Sequence, residues 1–273
     1  MRSWLAALAI GTVAAMAATA AAGGDDATTA KLVADLITQS DIAGIKPPMF
    51  TLDDGVLNQP GSAAGLGEMG YIVTEPLAST RGASSDGTVV WFAQDLAEKP
   101  MCGTGDCAKA WRDAAKAVAY HYTVLLDRGQ PLYLHLGRTL KSSAAKAGTG
   151  SAPSAIANTT AHDFEATFTA SLADPKQFAA AVSDRNDAVL LGTDSGERYV
   201  GSAAIKKTLV AWGLAMTVRD GIASGIADNK TIAWVGANVD GKAKGDSKPT
   251  AYRLTIIYEK VGGAWRAVVI HFS

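Results

Sequence analysis

The stretch Ala251–Ser273, AYRLTIIYEKVGGAWRAVVIHFS, reads as two β-strands joined at Gly262-Gly263. Two apolar, β-branched runs around a glycine pair are a strong local hairpin pattern. The same arrangement occurs earlier in the chain. Ala119–Leu140, AYHYTVLLDRGQPLYLHLGRTL, repeats the Ala-Tyr-x-x-Thr opening, the charged turn and a histidine near the end of the second strand. Upstream, SSDGTVVWFAQDL (Ser84–Leu96) matches IADNKTIAWVGANV (Ile226–Val239), and GSAA at Gly61–Ala64 matches GSAA at Gly201–Ala204. Because these matches keep the same order, the chain reads as a duplicated domain.

The turns set a register. A two-residue turn at Gly262-Gly263 places Thr255 opposite Ile270 and Leu254 opposite His271. A turn at Arg128-Gly129 places Thr123 opposite Leu134 and Tyr122 opposite His135. Alternation then puts Tyr252, Leu254, Val269 and His271 on one face of the final hairpin. Thr255, Ile257, Ile270 and Phe272 fall on the other with Arg253, Glu259 and Arg266, a half-apolar face expected to be partly covered.

The remaining elements follow from pattern and punctuation. A helix is predicted over 26–38, ended by Pro47-Pro48, and a short strand over 49–52. Strands are expected over 71–79 and 88–96. Residues 97–118 have no partner in the second copy and form an insertion, and 141–160 is a Ser/Ala/Gly/Pro linker. In the second copy helices are predicted over 162–172 and 176–182, split at Asp174-Pro175. Short strands over 187–192 and 198–200 flank a turn at Thr193–Gly196, where Asp194 and Glu197 read as structural. Ser202 is expected to cap a helix to Trp212, and strands over 217–224 and 231–239 precede the hairpin. Helices followed by long antiparallel strands indicate an α+β fold.

The N-terminus, MRSWLAALAIGTVAAMAATAAAGGDD, has one positive charge, an apolar run and Ala20-Ala21-Ala22. It reads as a secretory signal peptide cleaved after Ala22, with an uncleaved anchor as the rival. The run is Ala-rich and short for a spanning helix. The chain is therefore expected to be exported, periplasmic or secreted, and free of the membrane after cleavage. With 25 basic and 26 acidic residues and no basic stripe, nucleic acid is not an expected partner. Cys102 and Cys107 lack the further ligands of a metal site and are expected to form a small structural disulfide in the insertion. No metal and no cofactor is expected.

DAVLLGTDSGERYVGSAAIKKTL, followed by the terminal strand WRAVVIHFS, resembles the SnoaL-like branch of the nuclear transport factor 2-like superfamily. The resemblance covers 163–273 directly and 26–140 only through the internal repeat, since the Gly-Thr-Asp turn is missing there. It implies a cone: a curved antiparallel sheet wrapped on helices, enclosing a pocket. In that superfamily the outer face of the sheet commonly packs on a partner, so the two copies are expected to pair sheet against sheet as an intrachain pseudo-dimer. The expected domains are 23–140, a divergent copy, and 161–273, the SnoaL-like copy.

An apolar cavity with a few polar groups is the usual plan of a small-molecule site. The predicted lining is Trp234, Asn238, Tyr252 and His271 in copy two, and Trp91, Asp95, Tyr120 and His135 in copy one. Asp95, His135 and His271 are the candidate acid/base groups, whereas Asn238, at the place of Asp95, cannot act as a base. Three readings stay open: a module that binds a small apolar or carbonyl-bearing ligand without turnover, an acid/base enzyme like the superfamily's ketosteroid isomerases and polyketide cyclases, or an assembly protein whose pockets are vestigial.

Overall fold

The computed structural model describes residues 49–50, 73–99, 120–138 and 163–273. The expected signal peptide, the helix at 26–38, the insertion with Cys102 and Cys107, and the linker 141–160 lie outside these residues or nearly so.

Two sheets organise the described chain. The first contains β1 (Met49–Phe50), β2 (Val73–Ala83), β3 (Val89–Lys99), β4 (Tyr120–Asp127) and β5 (Gln130–Arg138), in the order β1-β5-β4-β3-β2. Then come α1 (Asp163–Leu172), α2 (Pro175–Ala180), β6 (Val189–Leu191), β7 (Arg198–Val200) and α3 (Ser202–Trp212). The second sheet adds β8 (Ala215–Ile226), β9 (Ile232–Lys242), β10 (Thr250–Val261) and β11 (Ala264–Phe272), in the order β7-β6-β11-β10-β9-β8. Both sheets set a short strand parallel to the last strand of a hairpin, with Phe50 opposite His135 and Leu191 opposite His271.

The helices fill the inner face of the second sheet. Phe164, Phe168 and Leu172 recur at one face of α1 and are buried. Asp174 caps α2, its carboxylate accepting from Lys176 N at 2.8 Å, with Pro175 at the first helical position. On α3, Ile205 and Leu209 are buried. The expected cap at Ser202 is displaced by one residue: Gly201, with φ 89°, holds the cap position, and the Ser202 hydroxyl turns to Asp184 at 3.5 Å. These helices meet Leu254, Ile256, Tyr258, Ile270 and Phe272 in one core, each large side chain contributing about 1.5–3 kcal/mol.

The hairpin register differs from the two-turn expectation, and in the same way in both hairpins. Near each turn the pairs are as predicted, Val261 with Ala264 and Asp127 with Gln130. A β-bulge at Val268 then shifts the ladder, so that Thr255 faces His271 and Leu254 faces Phe272. A bulge at Leu132 makes Thr123 face His135 and Val124 face Leu134. An extra residue in one strand reverses which side chains lie on which face beyond it. Val269 and His271 therefore lie on the outer face, while Ile270 and Phe272 join the helices.

The outer faces of the two sheets meet. Trp91, Leu125 and Tyr133 of the first sheet share an apolar cluster with Val189, Trp234, Ile257, Val268 and Val269 of the second. Trp234 stacks on Tyr133 at 4.4 Å between ring centroids. Each tryptophan lies over a glycine on the neighbouring strand: Trp91 over Gly82 and Trp234 over Gly225. A Cβ at Gly225 would come within 2.6 Å of the Trp234 indole nitrogen, so both positions need glycine for want of space. At one end the turns also meet, with Asp127 accepting from the Asp228 amide at 2.8 Å and Arg128 pairing with Asp228 at 3.0 Å.

Candidate functional site

The sequence singles out residues that the fold divides between two places. Trp91, Trp234, His135 and His271 lie in the seam between the sheets, Asp95 lies at its edge, and Tyr252 lines a cavity on the helix side. Asn238 sits half-buried on β9 opposite Arg253. Tyr120 is placed on β4 opposite Arg138 and Leu96.

In the seam, His135 and His271 stack with ring centroids 3.8 Å apart and are fully buried. The threonines brought opposite them by the bulges cross the seam. Thr123 Oγ1 lies 3.0 Å from His271 Nδ1, and Thr255 bonds the Tyr133 hydroxyl. His135 Nε2 meets Ser273 Oγ at 3.0 Å. Burial, reinforced by the charges of Arg253 and His121, holds His135 well below the usual imidazole range. Burial, with His135 and His121 beside it, does the same to His271. Loss of hydration disfavours the imidazolium, so both rings are neutral.

Asp95 is only 5 % exposed and its Oδ1 is shared. Arg198 Nη1, from β7 of the second sheet, donates to it at 3.0 Å, and His121 Nδ1 lies 3.0 Å away. Arg198 also donates to Thr80 and to the Ala93 carbonyl. The other nitrogen of His121 is 3.1 Å from the Asp194 carbonyl oxygen. Both nitrogens of His121 thus face oxygens. The carboxylate is thus engaged by a cross-sheet ion pair.

The cavity lies on the other face of the second sheet. It measures about 220 Å³ and is walled by Trp212, Leu214, Tyr252 and Phe272, with Gly192, Thr193, Glu197 and Ala243 completing it. Phe272 stands at near-right angles to both Trp212 and Tyr252, with centroids 6.0 and 5.9 Å away. The turn after β6 aims the one carboxylate. Gly192 N donates to Glu197 O at 2.7 Å, Glu197 N to Asp194 O at 2.9 Å, and Asp194 N to Glu197 Oε2 at 3.0 Å. The Glu197 side chain folds back onto Gly192, where a Cβ would collide with it. Tyr252 lies over Gly241 in the same way, a Cβ there falling 2.8 Å from its ring. Burial, with the charges of Asp246 and Glu197, pushes the Tyr252 hydroxyl above its ordinary range.

Trp212, Phe272 and Glu197 are among the lining residues that sequence reasoning does not place in a pocket. Phe272 is hidden by the bulge, which reverses its face, and Glu197 by its position in a turn. Trp212 carries a usable signal: it ends the apolar face of α3, beside the rim that the sheet leaves open.

Residues 156–273 match the profile of a family described as the SnoaL-like domain. No curated protein matches the chain. Among solved structures, a candidate ketosteroid isomerase from Parabacteroides distasonis is 16 % identical, with 40 % of this chain and 83 % of that one covered and a TM-score of 0.34. A nuclear transport factor 2-like protein of unknown function from Pseudomonas putida is also 16 % identical, covering 39 % of this chain and 77 % of its own, with a TM-score of 0.31.

Proposed function

We propose, from the premise that the C-terminal half of this chain, residues 156–273, belongs to the SnoaL-like family of nuclear transport factor 2-like domains, that the protein is an exported binding module for a small, largely apolar ligand held in the helix-side cavity. The observation that carries this reading is the division of labour between the two faces of the second sheet. The aromatic cavity on one face has room for a small molecule. The acid/base candidates Asp95, His135 and His271 are buried among partners on the other side. A base must reach the proton it removes, and none of these three lines the cavity.

The N-terminal half belongs to this proposal as a divergent copy, paired with the C-terminal copy through the seam as an intrachain pseudo-dimer. The shared strand order, the parallel short strand and the matched bulges support that origin. Export rests on the leader pattern of residues 1–22, with the Cys102–Cys107 disulfide expected from it. Native mass spectrometry of the exported protein tests the reading. A small molecule retained under gentle conditions and released on denaturation is the expected result. Turnover of an unsaturated ketone that disappears in Glu197→Gln would replace binding with acid/base catalysis, since Glu197 is the carboxylate present in the cavity.

A further inference from the structure

The cavity has a charge as well as a shape. Glu197 makes no ion pair among the described residues, and its fold-back onto Gly192 leaves the carboxylate in the lining. Among the described residues no lysine or arginine lines the cavity. Arg198, the next residue, points away into the seam, and Lys242 and Lys244 flank Ala243 as exposed side chains. Trp212, Phe272 and Tyr252 line the cavity, with Phe272 at near-right angles to each of the other two. Ring faces attract cations through their negative quadrupole, whereas the edges carry its positive end, so the ring faces turned to the cavity are the ones that can hold a compact cation. An uncompensated carboxylate beside such walls disfavours anions and selects for positive charge.

We infer that this cavity takes a small organic cation, a quaternary ammonium or protonated tertiary amine, seated against Trp212, Tyr252 and Phe272 with Glu197 as counter-ion. This rests on the binding-module reading and adds the ligand class to it. The aromatic walls supply apolar contact that any ligand of the right size would share. Glu197 supplies the discrimination between charged and uncharged versions of one shape.

The test uses choline and its uncharged isostere 3,3-dimethylbutan-1-ol, titrated into the full chain by calorimetry at low salt. Choline is expected to bind roughly tenfold more tightly than the isostere, in line with the size of a partly desolvated cation–π and ion-pair contact. Glu197→Gln keeps an oxygen to accept the Asp194 amide and is expected to remove most of that difference while leaving the isostere's affinity alone. Tyr252→Leu is expected to weaken both. Equal affinity for the two probes, unaltered by Glu197→Gln, overturns the cation inference and leaves the apolar binding module standing. Failure of both probes, in a protein whose native mass spectrum also carries no released molecule, overturns both.

Discussion

His271 and Phe272 are neighbours in the chain and belong to different worlds. His271 enters a seam where its Nδ1 meets Thr123 and its ring stacks on His135 across the two sheets, and Phe272 enters a cavity lined by one carboxylate. The seam spends its polar residues on holding the halves together. The cavity's Glu197 makes no ion pair among the described residues. The difference teaches that the buried histidines and Asp95 are engaged in contacts between the sheets, while the turn residue Glu197 faces the cavity.

The comparison breaks most visibly at Arg198. Arg198→Ala leaves Asp95 buried without its guanidinium partner, and a loss of about 3–5 kcal/mol is expected in urea unfolding. A loss under ~1 kcal/mol would mean the pair behaves like a solvated surface contact. Acid is the next lever. His135 and His271 have folded-state values depressed below 6.5, while the unfolded chain titrates near 6.5. The unfolded state therefore binds more protons below that pH, so their contribution is full above about 6.5 and is lost as the pH falls. The slope reaches at most about 1.4 kcal/mol per pH unit for each ring. His135→Gln with His271→Gln should flatten melting temperature between pH 7 and pH 5, and an unaltered slope would deny the seam its role. Gly225→Ala, which presses on Trp234, is expected to cost about 1–3 kcal/mol by overpacking, read as an earlier melt with altered tryptophan fluorescence. On the cavity side, Tyr252→Phe should stay within ~0.5 kcal/mol in the same melt. A larger drop there would make the cavity part of the structural core and remove the contrast.

Much of the second sheet is legible in the chain, for local reasons. Alternation and the Gly262-Gly263 turn locate β10 and β11, and Asp174-Pro175 separates α1 from α2. The bulges are not local. Val268 and Leu132 are unremarkable residues in apolar runs, and the extra residue is accommodated by packing on both faces. Two turn-based registers agreed with each other because both hairpins carry the same bulge, so their agreement repeated one omission. Trp91 and Trp234 stand out in the sequence as a matched pair, and the matching is real, but it concerns the glycines beneath them and the seam. Tyr252 is the predicted lining residue that meets the cavity.

The seam also has a meaning in terms of symmetry. Two identical subunits about a twofold axis must offer the same residues from both sides. Here the two sides are encoded separately, and they differ where it counts: Ser273 answers His135, whereas Gly137 lies against His271, and Tyr133 stacks on Trp234 while Arg185 rides over Trp91 at 4.9 Å. The clamp of Arg198 on Asp95 likewise runs in one direction only, since the position of Asp95 in the other sheet is Asn238. Covalent linkage keeps the two faces at high effective concentration however dilute the protein becomes. Each face is then free to mutate as a complement to the other, without having to remain a complement to itself.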